Sequence, residues 1–225
     1  MNTTHRNSQH TRLLGALAAG DSSIRLEAAL AAGTQPAPEL LDALVQRCAV
    51  EPDFFVRDML TWALTRLPAQ LTVPKLRAEL RSERAQARSQ ALHTLSKIGD
   101  PDAWPAITPA LLRDADEDVA RSAWRAAVVL APDAARPALA AELVTQLGRG
   151  DREVRLSLSR AFAALGEVAE PVLAAAAAND DPDIRAHAAA TQRLVRDPDA
   201  GFELAVDEAK RVVALGPDAE EASAC

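Results

Sequence analysis

The chain is poor in aromatic residues. Of its 225 residues only 3% are aromatic, and there is no tyrosine. Seven rings (Phe54, Phe55, Trp62, Trp104, Trp124, Phe162 and Phe202) serve the whole chain. A sandwich or barrel is expected to use more aromatic and β-branched residues than this. Cysteine is nearly absent too. Cys48 and Cys225 are far apart and form no Cys-x-x-Cys pair, so no disulfide framework or thiolate metal site is expected. The first ten residues, MNTTHRNSQH, hold no apolar stretch of a secretory leader. The longest small apolar run, Val172–Ala178, is too short to span a bilayer. A cytoplasmic location with no membrane association is the expectation. Lysine is scarce, at three against 22 arginines, a bias that points to a GC-rich bacterial source. Alanine and leucine carry the 48% apolar content, which excludes disorder as the main state and favours closely packed helices.

A repeat supplies the organisation. Asp, two residues, a β-branched residue and Arg recur at Asp21-x-x-Ile24-Arg25, Asp53-x-x-Val56-Arg57, Asp151-x-x-Val154-Arg155 and Asp181-x-x-Ile184-Arg185. Two further copies are altered. Arg84-x-x-Ala87-Arg88 lacks the Asp and the branched residue, and Asp116-x-x-Val119 is followed by Ala120 and then Arg121. The anchors 24, 56, 87, 119, 154 and 184 have a mean spacing of 32. In the second to fifth copies apolar residues follow at anchor +4, +8 and +11 (Leu60, Leu64 and Leu67, for example), which is a helical period. The Asp three residues before the anchor stands where an N-cap belongs. Gly99 and Gly166 stand where helices stop. Partner helices are expected at about 8–19, 38–48, 71–81, 103–113, 135–147 and 168–178, with a further helix at 202–215.

This signature and its period resemble the HEAT-repeat family, in particular the short bacterial, phycobilisome-lyase HEAT-like type. The resemblance covers roughly residues 8–215. It implies an all-α fold: a right-handed α-solenoid of about six helix pairs plus a C-terminal helix. The expected layout is a single domain over 8–215, between flexible ends at 1–7 and 216–225. The resemblance further implies first helices on a convex side and second helices on a concave one. It implies a structural ladder between neighbouring repeats, built from Asp21, Arg25, Asp53, Arg57, Arg88, Asp151, Arg155, Asp181 and Arg185. Arg84 in place of Asp, and Ala120 in place of Arg, interrupt that ladder in the third and fourth repeats.

Charge adds a functional reading. The chain carries −7 overall. Yet the second helices, taken from anchor to anchor +11 in repeats two to six, hold ten basic residues and one acid, Asp58. They therefore carry +9, and the remainder carries −16. Trp62, Arg66, His93, Lys97, Arg121, Arg125, Arg160 and Arg193 are the candidate partner-binding residues of the concave face. Aromatic and guanidinium groups together are the usual composition of an interaction hot spot. The expected function is a non-enzymatic adaptor or scaffold for a protein or acidic peptide, with no cofactor. The alternative is a DNA-binding protein like the HEAT-like alkylpurine DNA glycosylases, with Asp58 and Trp62 on one helical face. HEAT-like deoxyhypusine hydroxylases hold iron through His-Glu pairs, and none of His5, His10, His93 or His187 is followed by Glu. Trp124, at anchor +5, is expected to be partly buried. If Asp151 is an N-cap, Asp151→Ala costs about 1 kcal/mol in chemical denaturation, and an unchanged midpoint places the helix start elsewhere.

Overall fold

In the computed structural model, which describes residues 2–197, every signature opens a long helix. Twelve α-helices and no strands occur among the described residues. They are α1 (Asn2–Leu17), α2 (Ser22–Thr34), α3 (Leu41–Cys48), α4 (Phe54–Thr65), α5 (Ala69–Glu79), α6 (Ala85–Ile98), α7 (Pro109–Leu112), α8 (Glu117–Leu130), α9 (Arg136–Leu143), α10 (Arg152–Leu165), α11 (Glu170–Ala176) and α12 (Pro182–Arg196). The expected helix 202–215 and tail 216–225 lie outside the described residues. Helix α1 starts at Asn2, so the start expected near Ser8 falls inside it, and residues 2–7 are helical rather than a separate end.

The chain divides into two compact units where one domain was expected. The first holds the residues up to Thr108 together with Asp118–Leu130. The second holds Pro109–Glu117 and the residues from Ala131 onward. In the first unit α1 packs on α2, α3 on α4 and α5 on α6, and the second helices stack α2 on α4 on α6. In the second unit α9 packs on α10, α11 on α12 and α10 on α12. The division falls where the expected helix 103–113 fails to form. Residues Pro101–Ala106 form a 3-10 turn, and α7 has only four residues. Pro101, Pro105 and Pro109 recur every four residues and remove successive N–H donors, so no continuous α-helix can be bonded there.

The helical period is realised as burial. Leu60, Leu64 and Leu67 are buried, as are Ala91 and Leu95, Ala123, Ala127 and Leu130, and Leu158, Phe162 and Leu165. Trp124 is completely buried, deeper than its place between faces implies. The four signature aspartates cap their helices. Asp53 accepts the Val56 N–H at 3.1 Å and Asp151 the Val154 N–H at 3.0 Å. Asp21 accepts Ser23 N–H at 2.7 Å and Asp181 accepts Asp183 N–H at 2.8 Å. Backbone bonds from Ser23 and then Ile24 hold the Asp21 carboxyl below its usual range. Arg84, in the altered third copy, makes no side-chain cap.

The signature arginines bond within their own repeat, which the expected Asp–Arg ladder does not describe. The aspartates are engaged by their own helix starts, and each guanidinium turns back onto the loop that precedes its own helix. Arg57 donates to the carbonyls of Glu51 and Pro52 at 3.0 and 2.7 Å. Arg25 does so to Ala19 and Gly20, Arg88 to Ser82 and Glu83, and Arg185 to Asn179 and Asp180. Those are the carbonyls six and five residues back. Arg155 takes Gly150, five residues back, and Gly148, seven back. Contacts to a neighbouring repeat exist as well: Arg25 bonds Glu51 and feels the charge of the next signature aspartate, Asp53, and Arg155 lies 3.7 Å from Asp183.

The fourth copy has Ala120 where the guanidinium belongs, and the equivalent carbonyls are those of Asp114 and Ala115. Arg149 supplies the missing group, donating to Asp114 O and, at 3.4 Å, to Ala115 O. Gly148 and Gly150, at φ +82° and +71°, flank Arg149 in the left-handed region that favours glycine.

Glu51 joins the first repeats. Its side chain is completely buried and takes a two-pronged bond from Arg25, with both N–O distances 2.7 Å, and a third from Arg47 at 2.7 Å. Asp53 N–H donates to it at 2.9 Å. Burial alone raises this carboxyl, but Arg25, the Asp53 N–H and Arg47 outweigh it and hold the group below its usual range. In the second unit His187 is buried between α12 and α10. Its Nδ1 accepts Gly148 N–H at 3.0 Å, which leaves the ring proton on Nε2, 3.1 Å from both Arg155 O and Ser159 Oγ.

Burial pushes the His187 imidazole down to about 4; the bond to Arg155 O opposes the shift, and the Arg155 charge adds to it. A folded value below the unfolded one near 6.5 means the folded state binds fewer protons in between. Its contribution is complete above about pH 6.5 and is lost as the pH falls toward 4, by about 3 kcal/mol. Denaturant unfolding from pH 7 to 4 is expected to show this slope, and His187→Gln to lose it. An unchanged slope in the variant contradicts the assignment.

Candidate functional site

Helices α4, α6 and α8 of the first unit enclose a groove of about 280 Å³. From α4 come Phe54, Arg57, Asp58 and Thr61; from α6, Ser89, Gln90 and His93; from α8, Asp118, Arg121, Ser122 and Arg125. All eleven belong to the first unit. Their common origin is the repeat. Second helices stack side by side, so residues four or so apart on each helix fall on one strip. Small polar residues knit the strip together. Ser89 and Ser122 share a hydroxyl bond at 3.0 Å, and Ser89 Oγ lies 3.2 Å from Asp118 O.

The groove joins three of the candidate residues: His93, Arg121 and Arg125. Arg125 Nη1 lies 3.4 Å from His93 Nδ1. Burial, then the charges of Arg125 and Lys97, hold the His93 imidazole below its usual value, so the ring is neutral at pH 7. Arg121 lies 3.8 Å from Asp118. Lys97 sits exposed in the last turn of α6 and acts on the groove only through its charge. Arg66 is exposed at the C-terminal end of α4, outside the lining.

Trp62 also stands outside the groove. Its indole lies against Gly33 of α2, so close that a Cβ on Gly33 would come within 2.2 Å of the ring. Trp62 therefore packs α4 on α2. The Asp58–Trp62 pair of the glycosylase-like reading is not assembled in the groove. Arg160 and Arg193 are exposed on α10 and α12 of the second unit.

The groove is less basic than the helix arithmetic implies. Three arginines face two aspartates, and His93 is neutral, leaving a formal +1. One of those arginines, Arg57, is already bonded to loop carbonyls and lies 6.0 Å from the Phe54 ring. Charge counting overlooked the aromatic rim. Phe54 and Phe55 are 65% and 68% exposed, with ring centroids 5.6 Å apart in an edge-to-face pair. The available signal was two consecutive rings directly after the capping Asp53, ahead of the buried anchor Val56.

Other reactive groups are structural. Cys48 is buried, and burial pushes its thiol up to about 12, where it is not nucleophilic. Among the described residues no group of three or more His, Cys, Asp or Glu side chains is placed to hold a metal ion. No described helix is long and apolar enough to cross a membrane.

Residues 56–128 match the family model described as HEAT repeats. No curated protein matches the chain. Among solved structures, the complex of CpcE and CpcF of phycocyanin lyase from Nostoc sp. is similar at 20% identity and a TM-score of 0.48, over 88% of this chain and 85% of that one. Human deoxyhypusine hydroxylase is similar at 17% identity and a TM-score of 0.48, over 95% of this chain and 97% of that one. The matched family segment holds the anchors Val56, Ala87 and Val119, including both altered copies of the signature, and every lining residue of the groove except Phe54. Over residues 56–128 the chain thus matches the HEAT-repeat family that its recurring signature resembles.

Proposed function

We propose that this chain is a non-enzymatic adaptor that binds a protein partner through the exposed basic and aromatic residues of its second helices. The observation that carries this reading is the groove across α4, α6 and α8, where arginines meet the exposed Phe54 ring, itself paired edge to face with exposed Phe55. Repeat architectures use such stacked faces as binding surfaces, and aromatic and arginine anchors dominate protein interfaces. The groove's polar groups are two seryl hydroxyls bonded to each other, a threonine, an amide, the His93 imidazole and charged side chains. A protein partner suits this set better than a nucleic acid, because a chain of −7 repels a phosphate backbone beyond the groove itself.

Arg121→Glu combined with Arg125→Glu is expected to abolish capture of a partner from the native cell while the helical circular dichroism stays unchanged. Capture that survives the double reversal removes this face as the site. A gel shift on plain duplex DNA that strengthens steeply as salt falls would instead assign the face to phosphate contacts.

A further inference from the structure

The chain uses its few rings sparingly, and two of them are not used for packing. Trp124 and Phe162 are completely buried, whereas Phe54 and Phe55 are both about two-thirds exposed. The repeat does not demand rings there. The first two residues of the other second helices are Ser22-Ser23, Ala85-Gln86, Glu117-Asp118, Arg152-Glu153 and Pro182-Asp183. The pair is also held in place. The rings meet edge to face at 78°, and the Arg57 guanidinium, fixed on its loop carbonyls, lies 6.0 Å from Phe54. A rigid aromatic pair loses little conformational freedom when a partner covers it.

A second observation points into the same groove. Thr61 is 3% exposed, and its hydroxyl has no hydrogen-bond partner. Buried hydroxyls are normally satisfied. Elsewhere in these helices Thr34, Thr72, Thr94 and Thr191 donate to the carbonyl four residues back, and Thr65 to the one three back. Thr61 is the exception, and it lines the groove.

The third observation is charge. With three guanidiniums, two carboxylates and a neutral imidazole, the lining has room for one additional negative charge before it is neutral. A polyacidic run or a phosphate backbone would overfill it. At about 280 Å³ the groove accepts a few side chains, not a folded surface.

From these three observations, and resting on the second-helix reading above, we infer that the groove docks a short linear peptide segment. That segment presents one large apolar side chain to Phe54 and Phe55 and one carboxylate to Arg125. A backbone or side-chain polar group of the segment reaches the Thr61 hydroxyl.

The test is selection of random dodecapeptides displayed on phage against the full chain, followed by fluorescence polarisation of the enriched peptides. The expected peptides pair an aromatic or aliphatic residue with a single acid a few positions away. Phe54→Ser with Phe55→Ser, and separately Arg125→Glu, are expected to weaken them by roughly tenfold or more, and Thr61→Val by a smaller factor. All four positions can be checked for folding by circular dichroism, and the Phe and Arg sites are exposed. Arg160→Glu with Arg193→Glu is expected to leave the affinity unchanged. Failure to enrich peptides, enrichment of basic ones, or displacement by a duplex oligonucleotide overturns the inference. If affinity follows Arg160 and Arg193 alone, the groove is wrong and the second-helix reading stands. If it follows neither set, both fall.

Discussion

One interaction recurs through this molecule, and the helix arrangement depends on it: a guanidinium that closes the loop between two helices onto the second of them. Each such loop carries two difficulties. The first helix ends in carbonyls with no intrahelical partner, and the second begins with unpaired N–H groups. The signature solves both with one Asp and one Arg. The carboxylate covers the N–H groups and meets the positive end of the second helix, and the guanidinium, four residues later, reaches back to two loop carbonyls near the negative end of the first. Arg25, Arg57, Arg88, Arg155 and Arg185 all behave this way. The signature is therefore first of all a device within a repeat. Contacts between repeats come from buried apolar residues, from acids such as Glu51 and from small polar groups such as Ser89 and Ser122.

The altered copies show which half of the device the chain retains. In the third repeat the cap is gone but Arg88 still holds Ser82 and Glu83, and α6 begins all the same. In the fourth repeat the guanidinium is gone from position 120, and Arg149 restores it from the loop that precedes α10. The interval between anchors 119 and 154 is the longest in the chain, at 35 residues. The additional length includes the Gly-Arg-Gly turn that carries Arg149. Loss of the cap goes without a substitute, whereas loss of the loop clamp is made good by a new residue.

Much of this was legible in the residues alone, because it follows from local rules. All but one of the apolar positions at anchor +4, +8 and +11 in the second to fifth repeats are buried, Ile98 being half-buried, and the four aspartates cap the helices they precede. The helix expected at 103–113 was misread because its apolar spacing hides three prolines four residues apart. The clamp within each repeat was not legible, because sequence spacing cannot show that a guanidinium turns back onto its own loop. Glu51 and Arg149 lie outside the signature, so periodicity gives them no role. The site suffered most. Summing charge over five helices treated Arg57 and Arg125 alike, although one closes a loop and the other borders a neutral histidine. It also hid the Phe54–Phe55 pair, which carries no charge to count.

The central distinction is therefore between arginines that hold loops and arginines that we propose face a partner. Urea unfolding of Arg57→Met and Arg125→Met measures it directly, since methionine keeps most of the apolar stem and removes the guanidinium. Removal of the Arg57 group leaves the carbonyls of Glu51 and Pro52 without their charged donor, with an expected loss of about 1–3 kcal/mol. Arg125→Met is expected to remain within about 0.5 kcal/mol of the parent. Equal stability losses in the two variants, or no loss in Arg57→Met, would contradict the account.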